Sequence, residues 1–105
     1  MGSRWKEASA YAQSEKWDKA AERWKYLYEK SNSLKAKAQA ASNLALSNEM
    51  KTNLDEAYEW AGKSYELFKK SEGEDGKNTK LLALYVEVLR NRIRSDKKLN
   101  MQFGE

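Results

Sequence analysis

The chain has 105 residues, 40% apolar and 34% charged, with a formal net charge of +4. That describes one small domain with a thin core, in a size range where folding buries roughly 60–70% of the unfolded surface. Histidine, cysteine and proline are all absent, which excludes disulfide staples and proline kinks and removes the commonest general base, the commonest metal ligand and the thiol nucleophile.

Two further exclusions follow. No run of about 18 apolar residues exists to span a membrane, and β-branched residues are too sparse to favour a sheet. An all-α chain is expected. Four Trp, six Tyr and two Phe must supply much of the burial, at roughly 150–250 Å² each. Charge is interspersed along the sequence, with seven basic and five acidic residues in 1–34, six and six in 35–72, and seven and five in 73–105. That is an ordinary solvated surface.

Met1-Gly2-Ser3 reads as an added leader ahead of a domain over residues 4–103, with no apolar stretch behind it to make a signal peptide. The spacing predicts a first helix from about Ser3 to Gln13, with Ser3 as its N-cap and Trp5, Ala8, Tyr11 and Ala12 on one face. A second helix is predicted from about Trp17 to Lys30, with Ala20, Ala21, Trp24, Leu27 and Tyr28 as its stripe; Ser31-Asn32-Ser33 ends it. The third, from about Leu34 to Lys51, buries Leu34, Ala38, Ala41, Leu44 and Ala45, and its many alanines suit close packing on both sides. Thr52-Asn53 breaks it, and Asn53 with Glu56 has the form of a capping box. The fourth, from about Leu54 to Lys70, carries Leu54, Ala57, Tyr58, Ala61, Tyr65 and Phe68 inward, with Glu59–Lys63 and Glu66–Lys70 as exposed pairs at i,i+4. Residues 71–77 form a loop around Gly73 and Gly76. A fifth helix, about 78–102, turns Leu81, Leu82, Tyr85, Val86, Leu89 and Ile93 to the core, and its stripe then fades to Leu99, Met101 and Phe103.

No residue set has the form of a catalytic or metal centre. The serines lack a partner that would activate a nucleophile. Glu49 and Glu87 read as solvated helix positions. Glu72, Glu74 and Asp75 share a glycine-containing loop but lack the ligand spacing of a calcium loop. No enzyme activity, metal or cofactor is expected. Arg90, Arg92, Arg94, Lys97 and Lys98 gather against a single acid, Asp96, and Arg90, Arg94 and Lys97 share a helix face that phosphates would fit. The same cluster also reads as a solubilising helix end that complements the helix dipole.

The chain repeats itself at an offset of 37 residues: Glu15-Lys16-Trp17-Asp18-Lys19-Ala20-Ala21-Glu22 returns as Thr52-Asn53-Leu54-Asp55-Glu56-Ala57-Tyr58-Glu59, and Ala8 returns as Ala45. Ala8, Tyr11, Trp17, Ala20, Trp24 and Leu27, then Leu44, Ala45, Leu54, Ala57, Ala61 and Ser64, resemble the tetratricopeptide pattern. Leu82-Ala83 stands one 38-residue step after Leu44-Ala45 and begins a further first-helix. The usual proline between repeats is absent, with Asn32 near its place, and Asn48 replaces the usual tyrosine of the second copy.

This resemblance implies a right-handed superhelix of αα-hairpins, with repeats over about 4–31 and 34–71 and a terminal helix over about 78–102. It also implies an inner, ligand-facing row: Trp5, Ser9 and Gln13; then Ser42, Leu46, Glu49 and Met50; then Leu84, Glu87 and Val88. Such a row is a shallow peptide groove whose two carboxylates favour a ligand with Lys, Arg or a free amino group. Alternatively, Trp5 and Leu46 pack on further parts of a longer protein. A second resemblance is carried by the stretches Trp17–Trp24 and Asn53–Ala61 and by Tyr85-Val86-Glu87-Val88-Leu89 leading into a basic helix. These are similar to the C-terminal part of an uncharacterised lipoprotein family of Bacteroides-type bacteria, which implies an exported, lipid-anchored parent in a Gram-negative bacterium; no lipid-attachment cysteine stands in the chain.

The expected function is a non-enzymatic protein- or peptide-interaction scaffold, part of a larger exported protein. Two alternatives stay open: a nucleic-acid-associated adaptor acting through the Arg90–Lys98 helix, and a structural module that packs on its own chain or self-associates.

Overall fold

The computed structural model describes the backbone of residues 2–103 and the side chains of residues 3–98. Met1 and the side chains of Leu99, Met101 and Phe103 lie outside the described residues. Five helices follow in order: α1 (Gly2–Gln13), α2 (Trp17–Lys30), α3 (Leu34–Met50), α4 (Leu54–Glu72) and α5 (Lys77–Phe103). The described chain is all-α. The connections span only residues 14–16, 31–33, 51–53 and 73–76, and connections this short make successive helices antiparallel neighbours. Each helix packs mainly on its neighbours in sequence. The result is elongated, 47 × 33 × 19 Å with a radius of gyration of 14.6 Å, where a compact chain of this length would have about 13 Å.

Two apolar clusters meet at α3. One joins Ala8, Ala20, Ala21, Trp24 and Leu27 to Ala40 and Leu44. The other joins Ala38 and Ala45 to Ala57, Ala61, Phe68, Leu82 and Leu89. Trp60 packs against both, and its ring meets Tyr28 edge-on at 4.9 Å. Helix α3 is therefore buried on two faces, and alanine is what lets both neighbours approach. Ser47 and Asn48 are buried with it because each bonds its own helix: Ser47 Oγ donates to the Asn43 carbonyl and Asn48 Nδ2 to that of Leu44. Ser64, fully buried in α4, donates to the Ala38 carbonyl at 2.8 Å and ties α4 to α3.

The 37-residue repeat returns in the backbone. Glu15 (φ 58°) and Thr52 (φ 66°) both adopt the left-handed conformation. Around them, Lys16 N–H donates to Tyr11 O and Asn53 N–H to Asn48 O, while Glu15 N–H donates to Ala12 O and Thr52 N–H to Glu49 O. This double bond pattern is the Schellman motif, which usually places glycine at the left-handed position. Here the chain uses Glu and Thr and bears the steric cost.

Several expectations need correction. Leu34 and Leu81 are 45% and 58% exposed, not core. Ser3 lies inside α1, which begins at Gly2. Asn53 makes no side-chain cap bond, whereas Ser33 Oγ accepts from Ala36 N–H and caps α3. Neither Glu59–Lys63 nor Glu66–Lys70 closes an ion pair among the described residues. Lys63 lies over the Trp60 ring at 4.3 Å, and Lys69 pairs with Glu74. The loop expected over 71–77 shrinks to 73–76 because Glu72 ends α4 and caps α5. Its carboxylate accepts from the N–H groups of Asn78 and Thr79 and from Asn78 Nδ2. Gly76 permits this, since a Cβ there would lie 2.5 Å from Glu72 Cγ.

Two outcomes are expected. Thr52→Gly should stabilise by about 0.5–1 kcal/mol in urea denaturation, the left-handed penalty relieved less the glycine entropy added; a loss of stability would refute strain at this turn. Burial pushes the Glu72 carboxyl up, but the bonds from Asn78 and Thr79 and the nearby Lys35 outweigh it and hold the group below its ordinary value of 4.5. A carboxylate so held stabilises the fold above that unfolded value and ceases to as pH falls through the folded one. The stability difference between wild type and Glu72→Gln should thus be present at pH 7 and shrink below pH 4.5; a difference constant with pH would contradict the cap.

Candidate functional site

Leu46 and Met50 stand one turn apart on α3, and Leu81, Leu84 and Val88 follow helical spacing on α5. All five are between 46% and 66% exposed. Exposed apolar residues are ordinary singly; here they fall on two helices that a shared carboxylate links. Glu49 of α3 accepts from Tyr85 Oη of α5 at 2.6 Å and pairs with Arg92 Nη1 of the same helix. Its side chain is only 17% exposed. Tyr85 and Arg92 are seven residues apart, two helical turns, so one face of α5 presents both to Glu49.

Glu49 is therefore not a free carboxylate awaiting a cationic ligand. It ties α3 to α5. The Tyr85 hydroxyl feels this directly: burial first, then its bond to Glu49, push its ionisation well above that of an ordinary tyrosine. Glu87 stays exposed but lines a separate cleft between α4 and α5, with Tyr65, Glu66 and Arg90, that no apolar residue of the row borders.

The rest of the expected row divides. Ser9, Gln13 and Leu46 border a shallow cleft of about 220 Å³ between α1 and α3 that Trp17, Trp24 and Ser47 also line. Ser42 is half-buried, its Oγ donating to the Gln39 carbonyl. Trp5 packs edge-on against Trp24, with ring centroids 4.9 Å apart, and faces a different cleft at the α2–α3 turn. Tyr85, Arg92 and Leu81 were missed as members of the face. Their α5 spacing was visible in sequence, but nothing there showed that Glu49 faces them.

The basic helix divides as well. Arg92 is engaged with Glu49, and Arg90 Nη2 donates to Tyr58 Oη at 3.4 Å. Both guanidinium groups tie α5 to the body. Arg94, Lys97 and Lys98 remain exposed. Among the described residues no three acidic side chains gather to hold a metal ion, and no helix is long and apolar enough to cross a membrane.

Tyr85→Phe should cost about 1–2 kcal/mol, the usual loss for a partly buried bond to a charged acceptor. In an alkaline absorbance titration one tyrosine should stay protonated past the ordinary range of a free tyrosine, and that late step should vanish in Tyr85→Phe. A titration unchanged by the substitution would deny the Glu49 bond.

No curated protein and no solved structure matches the chain. One family model does, described as a domain of unknown function (DUF6340), over residues 6–91. The match runs from within α1 to within α5, so it takes in all four connections, Glu49 and Tyr85 and the whole exposed apolar row. On that coverage the chain belongs to the DUF6340 family.

Proposed function

We propose that this protein is a non-enzymatic scaffold that binds a protein or peptide segment across the outward faces of α3 and α5. The observation that carries this reading is the row of large exposed side chains, Leu46 and Met50 on one helix and Leu81, Leu84 and Val88 on the other. Five large apolar side chains left in water on two helices that Glu49 joins favour a partner that covers them. The 37-residue sequence repeat and the tetratricopeptide-like pattern supply the frame, a stack of αα-hairpins that presents its first helices side by side. The lipoprotein resemblance supplies a context: a larger, exported and lipid-anchored bacterial protein.

The chemistry of the row refines the ligand. With Glu49 neutralised by Arg92, recognition rests on apolar anchors, and Glu87 faces the α4–α5 cleft beside Arg90 instead of the row. A nucleic-acid adaptor is the weaker reading, because Arg90 and Arg92 are spent on Tyr58 and Glu49.

Peptides selected from a displayed library on the wild-type protein should lose at least about tenfold in affinity, roughly 1.4 kcal/mol, against the double variant Leu84→Asp/Val88→Asp. The melting temperature should hold, since both side chains are already in water. Equal binding to the variant would end the proposal. Sedimentation run alongside discriminates the remaining alternative: a dimer of the wild type that the double variant abolishes would make this face a self-association surface instead.

A further inference from the structure

A second cleft, of about 510 Å³, opens at the other end of α3. That volume is in the range of small-molecule sites. Trp5 of α1 and Ala36 of α3 give it apolar surface, and Lys30, Ser31, Asn32 and Gln39 give it polar groups. It shares no residue with the apolar row on α3 and α5.

Three features point to a ligand. The first is Ser31: the residue is only 6% exposed and lines this cleft, and its hydroxyl makes no hydrogen bond among the described residues and reaches solvent. The neighbouring Ser33 hydroxyl, by contrast, is engaged in capping α3. The second is charge: the lining holds one cation, Lys30, and no carboxylate. Lys30 joins no ion pair among the described residues. The third is the pairing of that polar side with an indole. A single lysine balances one negative charge; a phosphate dianion would call for more cations or a guanidinium fork.

We infer that this cleft binds a monocarboxylate carried on an apolar body. The carboxylate meets Lys30 Nζ and accepts from the Ser31 hydroxyl. The apolar body rests on Trp5 and Ala36, and the Asn32 and Gln39 amides serve the rim. Such a ligand is either a small free acid or the C-terminus of a peptide with an apolar last residue.

The test is an NMR titration of the ¹⁵N-labelled protein with phenylacetate and with its neutral isostere phenylacetamide. Phenylacetate should shift the Trp5 indole N–H and the amides of Ser31 and Ala36, and bind at least about fivefold more tightly than the amide. Lys30→Glu, at an exposed position that leaves the fold intact, should erase that preference, and Ser31→Ala should weaken the acid more than the amide. N-acetyl-Ser-Gly-Leu as free acid and as amide separates the two sources. A free-acid peptide that outbinds phenylacetate identifies a chain terminus, and one that does not identifies a small acid; both support the site. Identical shifts from acid and amide, shifts scattered over Arg94 and Lys97, or no shifts at about 10 mM ligand would each overturn it.

Discussion

Everything in this fold depends on α3 being thin enough to be covered on two sides. Ala38, Ala40, Ala41 and Ala45 are fully buried there, and a helix faced with methyl groups lets its neighbours come close at little cost in side-chain entropy. Alanine also buries little area, so the stabilising burial comes from what lies across the gap: Trp24 and Leu27 on one side, Phe68 and Leu89 on the other. Trp60, shared by both clusters, bridges the two layers. The α1–α2 and α4–α5 hairpins are coupled mainly through α3, with the edge-on pair of Tyr28 and Trp60 as a direct contact between them.

The turns explain why that helix can serve as a spacer. Glu15 and Thr52 take the same left-handed conformation and carry equivalent pairs of backbone bonds. The two hairpins therefore enter α2 and α4 with the same geometry. Cores of different composition then hang on one backbone plan: Trp24 in the first copy stands where Ala61 stands in the second, and Leu27 where Ser64 stands. The smaller second copy leaves the Ser64 hydroxyl within reach of the Ala38 carbonyl, replacing apolar contact with a buried hydrogen bond.

The same stacking sets the exposed apolar row. Most ion pairs here are exposed, such as Arg23–Glu7 and Lys51–Asp18, and pairs of that kind contribute little to stability. Glu49 differs in being largely buried and in receiving both a phenol and a guanidinium from α5. It ties α3 to α5, and it removes from the row the negative charge that an isolated glutamate would have offered. A surface read as mixed acidic and apolar becomes principally apolar for that reason.

The sequence by itself determined the helices and most of their inward faces. Apolar spacing marks Ala8, Trp24, Ala57, Phe68 and Leu89 as core, and all are buried; local periodicity decides this before any helix meets another. The row of Leu46, Met50, Leu84 and Val88 apart from the core came from the tetratricopeptide resemblance and not from this spacing. What only the tertiary structure decided were the relations between helices. Leu34 and Leu81 keep helical spacing with buried residues but lie near helix starts, and they stay exposed. Ser47 and Asn48 look polar but are buried, because α3 is covered on both sides and their side chains bond their own carbonyls. The partnership of Glu49 with Tyr85 and Arg92 spans 36 and 43 residues. No periodicity along the chain encodes such a distance, since it arises only when the stacking of α3, α4 and α5 brings one face of α5 to Glu49.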